Sequence, residues 1–202
     1  MRILVACEYS GVVRRAFAAK GHKVMSADFE PAEDNNPNHY QGNCFDLTDR
    51  FNFDMIIAHP PCTYLSASGM HWTVRGLRDP QLTENALDFV KRLMALPIKK
   101  KCIENPKSII STRIRKFDQA IQPYQFGENA SKYTCLWLEG LPPLIPTKKI
   151  DPRIVIINGK EYKRWANQTD SGQNILGPSK DRWKERSRTY EGIAKAMADQ
   201  WG

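Results

Sequence analysis

Two side chains in this sequence stand where chemistry is done. The strand-like run Phe53-Asp54-Met55-Ile56-Ile57-Ala58 leads straight into His59-Pro60-Pro61-Cys62. A strand that ends in a stiff double-proline turn fixes where the thiol points, and Ser66 and Ser68 place polar groups beside it. An isolated cysteine is most often a small buried hydrophobe, but this position and these neighbours favour a nucleophile. Glu104 emerges from the short predicted strand Lys101-Cys102-Ile103 into Asn105-Pro106. A carboxyl group there is expected to be partly desolvated, with a raised pKa, and so able to keep a proton or share it with a substrate nitrogen. The plainer alternative is a surface glutamate paired with a lysine of Lys99–Lys101. Taken together, a thiolate nucleophile and a carboxylic acid suit attack on an electron-poor ring.

A second group of residues reads as a nucleoside site. Arg2 to Cys7 is a β-forming run that predicts a strand buried on both faces, and the loop Cys7-Glu8-Tyr9-Ser10-Gly11 follows. Val12 to Lys20 repeats its apolar positions at helical spacing and stops at Gly21. Lys23 to Ala27 predicts a second strand that ends at Asp28. In a β-α-β unit of this kind the first loop approaches a ligand closely, and a carboxylate at the tip of the second strand accepts from ribose hydroxyls.

These groups need a scaffold, and the rest of the chain supplies one. Pro31 to Asn43, rich in Pro, Asn, Asp and Glu, predicts a loop, and Phe53 to Ala58 a further strand. Asp79 to Leu96 predicts a helix capped by Thr83 and ended by Pro97. Strands are expected over Lys101–Ile103 and Tyr133–Leu138, and a closing helix over Thr189–Trp201. The alternation gives an α/β protein built on a doubly wound, mainly parallel sheet. Such a sheet presents ligands at the carboxyl ends of its strands, where Cys7–Gly11, Pro60–Ser66 and Glu104–Pro106 all fall.

Residues 1–140 read as a cofactor-binding and catalytic core, 141–188 as a basic irregular segment, and 189–202 as a helix returning to the core. The basic segment carries five prolines, and a hairpin is expected within it, Arg153–Ile157 turning at Asn158-Gly159 into Lys160–Tyr162. The chain of 202 residues is 41% hydrophobic with a net charge of +8, which excludes a disordered tail. The charge is uneven. Residues 1–100 carry 12 basic and 11 acidic side chains, and 101–202 carry 18 and 11. Such a surplus suits a polyanionic partner. Lys148, Lys149, Lys163, Arg164, Lys180 and Arg182 are the candidate phosphate contacts, with Trp165 as a stacking ring.

Five cysteines, Cys7, Cys44, Cys62, Cys102 and Cys135, without CxxC spacing predict reduced thiols and neither a disulfide framework nor a zinc site. No metal is expected. His59 and His71 read as structural or substrate-lining. The absence of a long apolar run or leader pattern predicts a cytoplasmic protein with no membrane partner.

The order Ala6-Cys7-Glu8-Tyr9-Ser10-Gly11, Asp28, Asp54 to Gly69 with Pro60-Pro61-Cys62 inside it, then Ile103-Glu104-Asn105-Pro106, resembles the cytosine-C5 DNA methyltransferases. It is most similar to the short phage and prophage members, which also end in segments like Asp181-Arg182-Trp183-Lys184-Glu185-Arg186-Ser187-Arg188-Thr189-Tyr190. That resemblance implies the Rossmann-like fold of class I S-adenosylmethionine-dependent methyltransferases, a DNA substrate, S-adenosylmethionine as cofactor and, for a phage protein, the host cytoplasm. It implies that Cys62 adds to C6 of cytosine while Glu104 holds N3 and the exocyclic amine, with Pro61, Ser66 and Asn105 around the base. For the cofactor it implies the Cys7–Gly11 loop at the methionine end, Asp28 at the ribose, Asn43 at the adenine amine, Pro60 beside the methyl donor and Thr189 closing the pocket.

Three features depart from the family pattern. The first loop is poor in glycine, Asn43 replaces an aspartate, and the arginine-rich strand that supports the target base is missing, with Lys132 its nearest substitute. About 45 residues stand where longer members insert a target-recognition region, so reduced sequence selectivity is expected. Two other readings remain open on the sequence: a pyrimidine-modifying enzyme acting on RNA or a free nucleotide, and a catalytically silent nucleic-acid-binding homologue.

Overall fold

The computed structural model, which describes residues 1–180 and 182–202, sets the apolar runs of the sequence side by side at the middle of one sheet. Its strands are β1 (Arg2–Ala6), β2 (Lys23–Asp28), β3 (His39–Gln41), β4 (Met55–Ala58), β5 (Lys100–Pro106), β6 (Gln119–Ile121) and β7 (Thr134–Glu139), in the order β3-β2-β1-β4-β5-β7-β6. β1 to β5 run parallel, and β7 is antiparallel to both β5 and β6. The sheet is therefore α/β and mainly parallel, as its sequence pattern requires.

β4 is buried throughout and β1 from Ile3 to Ala6, because helices cover both faces of the sheet. Ile3, Val5, Met55 and Ile57 point into one core, with Val13 and Phe17 of α1 (Val12–Ala18) and Met197 and Trp201 of α7 (Glu191–Trp201). Leu4, Ala6, Ile56 and Ala58 point into the other, with Phe45 and Leu47 of α2 (Cys44–Arg50) and Leu87, Val90 and Leu93 of α4 (Pro80–Ala95). The period-two alternation of a strand thus feeds two cores from one apolar run, which explains why these runs are continuous rather than alternating.

Several elements differ from the expectation. Inside the presumed loop 31–43, β3 pairs with Ser26–Asp28 of β2, and Ser26 Oγ lies 2.9 Å from His39 Nδ1. An edge strand needs only its backbone to pair, so polar composition hid it. α2 was not legible because its apolar set is small; Asn43 caps it, Oδ1 accepting from Phe45 N at 3.2 Å. The cap of α4 is Asp79, which accepts from Gln81 N at 2.9 Å with Pro80 at the first helical position; Thr83 is buried inside the first turn instead. α7 begins at Glu191, so Thr189 precedes the helix rather than opening it.

Three short helices, α3 (Ala67–Val74), α5 (Ile110–Arg113) and α6 (Arg182–Ser187), complete the chain with a hairpin of β8 (Arg153–Ile157) and β9 (Lys160–Arg164). Asn158 and Gly159 both have positive φ, 50° and 76°, the conformation a two-residue hairpin turn demands. Asp181, the first residue of the C-terminal basic motif, lies outside the described residues. Among the described residues no helix is long and apolar enough to cross a membrane.

Candidate active site

Strand register builds the site. Ala6 pairs with Ala27 and Ala58, and Ala58 pairs with Ile103. One residue further along each strand, Cys7, Asp28, His59 and Glu104 therefore form a single row at the carboxyl edge of the sheet. β1 lies there between β2 and β4, the point at which the strand order reverses and a crevice opens. A cavity of about 780 Å3 occupies that position. It brings together Cys62 and Glu104 with Cys7, Glu8, Tyr9, Ser10, Asp28, Pro60, Pro61, Ser66, Asn105, Lys132 and Thr189. Gly11, Asn43 and Trp165 do not line it.

The turn that carries Cys62 is fixed from four sides. Leu65 N and Ser66 N donate to the Cys62 carbonyl at 3.1 and 2.8 Å. Asn105 Nδ2 donates to the Pro60 carbonyl at 2.8 Å, and Arg78 Nη1 to the Thr63 carbonyl at 2.9 Å. Ser66 caps α3, its Oγ accepting from Gly69 N at 3.1 Å. Gly69 has no room for a side chain, since a Cβ there would fall onto the Thr63 carbonyl oxygen. The thiol is open to the cavity. Crowding around it raises its pKa, Lys132 pulls it down and Glu104 pushes it up, with a net rise.

Glu104 departs from the expectation. Burial does push its carboxyl up, but the hydrogen bond from His59 and the positive charges of Lys132 and His59 outweigh burial and hold it below the ordinary range. His59 Nδ1 lies 3.1 Å from Glu104 Oε2, and both side chains are largely buried. The free site therefore holds a carboxylate rather than a stored carboxylic acid. Sequence reasoning assigned His59 no chemistry because its partner is 45 residues away; the alignment of two strand ends was the missing signal.

The first loop is held rather than open. Cys7 adopts a left-handed backbone with φ of 59°, and Cys7 N and Glu8 N donate to Ala27 O at 2.7 and 3.2 Å. Its thiol is raised by its hydrogen bond with Cys44 and by burial. Glu8 is buried and caps α1, accepting from Val13 N at 2.6 Å and Arg14 N at 3.2 Å. Burial raises its pKa against the opposing pull of His59 and those donors. Gly11, at φ of 69°, precedes α1 beside Arg14 and Arg15. Asp28 accepts from Glu30 N at 3.0 Å, and burial raises it. Gly42 N donates to Asp28 O at 2.8 Å, which sets Asn43 near this strand end although outside the cavity lining.

α6 is fastened over the same loop. Tyr9 Oη donates to Lys184 O at 2.9 Å, Lys132 Nζ donates to Arg186 O at 2.9 Å, and Arg188 pairs with Glu33 at 2.6 Å. Lys132, a minor candidate on the sequence, thus sits where its charge acts on both Cys62 and Glu104. Trp165 is stacked on Tyr124 at 4.2 Å and 10°, with one ring face already covered. The half-exposed tryptophans that line the cavity are Trp72 and Trp183. Among the described residues no cluster of His, Cys, Asp or Glu is arranged to hold a metal ion.

No protein-family model matches this chain, and no curated protein matches it. Solved structures do. A protein described as a DNA modification methyltransferase encoded within an Escherichia coli prophage superposes with a TM-score of 0.50 at 16% identity, over 74% of this chain and 52% of that one. The methyltransferase EhMeth of Entamoeba histolytica superposes with a TM-score of 0.52 at 15% identity, over 75% of this chain and 58% of its own. The chain thus spans about half the length of these structures. With the strand order and the reversed β7, they define the fold: a Rossmann-like class I S-adenosylmethionine-dependent methyltransferase fold.

Proposed function

We propose that this chain is an S-adenosylmethionine-dependent methyltransferase that modifies C5 of cytosine in DNA. The observation that carries the reading is the meeting of Cys62 and Glu104 in one cavity with Asp28 at a neighbouring strand end. The residues present fit the cofactor. Asp28 ends β2 as a ribose-binding carboxylate should, and two residues that line the cavity, His59 and Asn105, each keep a buried polar atom without a partner, Nε2 and Oδ1. Asp28 would hold the ribose, Asn43 the adenine amine, the Cys7–Gly11 loop the methionine end, and Pro60 and Thr189 the remaining edges. When bound, the cofactor supplies an electrophilic methyl group.

In the proposed mechanism the Cys62 thiolate bonds to C6 of the pyrimidine, while Glu104 orients N3 and the exocyclic amine. That addition makes C5 nucleophilic towards the methyl group the cofactor would supply, and loss of the C5 proton to solvent with departure of the Cys62 thiolate restores the ring. Lys132 favours the thiolate by its charge. Pro61, Ser66 and Asn105 hold the turn and wall of the base pocket. A base in a duplex must first leave the stack, at a cost of about a few kcal/mol. Trp72 and Trp183 flank the cavity that would receive it, with Arg78, Arg186 and Arg188 as cations beside them. The prophage-encoded protein of like fold is described as acting on DNA, which supports DNA over other pyrimidines. Residues 141–188 serve in this reading as the nucleic-acid-holding segment.

Labelled methyl transfer to duplex DNA, single-stranded DNA, RNA and dCMP, measured in parallel, tests the substrate. Label in DNA recovered as 5-methylcytosine is expected. Transfer confined to RNA or to the mononucleotide would replace DNA as the substrate, and no transfer to any of them would favour a silent binding protein.

A further inference from the structure

The Glu104 carboxylate poses a chemical problem for the function proposed above. Addition of a thiolate to C6 places negative charge on the ring, and a proton at N3 neutralises it. A carboxylate held below its ordinary range carries no proton at neutral pH. The group beside it does belong to a class that can: imidazole is the side chain whose ordinary titration spans pH 5 to 8. His59 and Glu104 occupy the same row on adjacent parallel strands, 3.1 Å apart between Nδ1 and Oε2. An ionised carboxylate only accepts, so Nδ1 carries the hydrogen. His59 Nε2 is buried with no partner, so the imidazole is not committed to a structural bond on its other side.

We propose that His59 is the proton-holding partner of Glu104: one proton is shared between Nδ1 and Oε2, and it passes through Glu104 to N3 of the pyrimidine as Cys62 adds to C6. This rests on the cytosine-addition reading of the site. The Sγ–C6 bond forms from the thiolate electron pair, and the displaced ring electrons end on N3, which takes the proton from Glu104. That proton reaches Glu104 from Nδ1, so the step leaves Glu104 a carboxylate and His59 a neutral imidazole. Once C5 carries the methyl group that the cofactor would supply, its own proton leaves to solvent, the freed electron pair re-forms the C5–C6 double bond and expels the Cys62 thiolate, and the N3 proton returns by the same route, so the pair regains its starting state and no oxidant enters.

Charged groups from three elements face the His59–Glu104 pair. Glu8, on the loop after β1, and Glu104, at the end of β5, are its acidic neighbours. Lys132, ahead of β7, faces Glu104 and Cys62 and opposes them. Cys62 stands on the turn that His59 itself opens. His59 acts through Glu104 and is a positioning residue in this scheme.

His59→Asn separates proton holding from mere support, because its amide can donate to Glu104 from nearly the place of Nδ1 but does not titrate. Adduct formation with a 5-fluorocytosine DNA strand would be followed from pH 5 to 9 in wild-type protein and the variant. The expected result is a deficit of at least tenfold towards the acid end of that range, where an imidazole carries a second proton, closing towards pH 9, where it has none to give. Superimposable profiles would overturn the proposal. A 13C titration of the Glu104 carboxyl in wild-type protein gives a second readout that needs neither the variant nor activity. It should show one inflection below the ordinary range and another as the neighbouring imidazole discharges; a single inflection at or above the ordinary range would overturn the pairing. Failure of wild-type protein to form any adduct, with both inflections present, would overturn the cytosine-addition reading and the N3 delivery that rests on it, while leaving the His59–Glu104 pair in place.

Discussion

Asn105→Ala is expected to loosen the turn that carries Cys62 and to show it in two independent measurements. Asn105 is fully buried and its Nδ2 donates to the Pro60 carbonyl at 2.8 Å, joining the end of β5 to the turn that carries Cys62. Its removal leaves a buried carbonyl without a donor, which costs about 1–3 kcal/mol, and a small cavity adds to it. With about 2 kcal/mol lost in a domain of this size, the melting temperature should fall by roughly 4–8 °C. Freed from its tie, the Pro60-Pro61-Cys62 turn should misplace the thiol, and a displacement of about 1 Å can cost on the order of a hundredfold in rate. Cofactor affinity should fall less than the adduct rate, because Asp28 and the first loop stand on other strands and Pro60 alone of the cofactor's proposed neighbours lies on the loosened turn. Thermal unfolding, calorimetric titration with S-adenosylmethionine and the rate of adduct formation with a 5-fluorocytosine strand measure the three quantities. An unchanged melting temperature together with an unchanged adduct rate would refute the role given to this bond.

Three further outcomes follow from the same geometry. Asp28→Ala should abolish saturable heat on titration with S-adenosylmethionine while leaving the fold intact by circular dichroism. Asp34→Asn should cost about 2 kcal/mol at pH 7, since it strips the carboxylate from buried Arg14, the pair standing 2.7 Å apart. Burial raises the Asp34 carboxyl, but Arg14 and Arg15 outweigh it and hold it at about 2, below its unfolded value of 3.8. The stability from this group is therefore complete above pH 4 and lost as pH falls towards 2, so urea unfolding should show wild type and variant converging over that window. Trp165→Ala should lower stability by about 1–3 kcal/mol through loss of the stack on Tyr124, with DNA affinity by fluorescence anisotropy changing less than threefold.

The α/β class was legible because β1, β4 and β5 are short apolar runs at strand length, each followed by a residue that breaks the pattern. Cys62 and Glu104 were legible as candidates for a local reason: each follows such a run and precedes or follows proline. Their charge states were not. The state of Glu104 depends on His59 and Lys132, and strand register and the position of α6 decide those contacts. β3 and α2 escaped because a three-residue edge strand and a seven-residue helix leave almost no periodicity to read. Trp165 was read as a free stacking ring because a sequence does not show that Tyr124, forty-one residues earlier, covers it. The Asn-Gly hairpin was legible because its turn chemistry is contained in two adjacent residues.

The covalent intermediate tests the account at its centre. Wild-type protein incubated with S-adenosylmethionine and a 5-fluorocytosine oligonucleotide, then denatured and weighed by intact mass spectrometry, should give a species with the mass of protein, oligonucleotide and one methyl group. Cys62→Ala should give none. An adduct that survives that substitution, or wild-type protein that forms none in the presence of bound cofactor, would contradict Cys62 as the nucleophile.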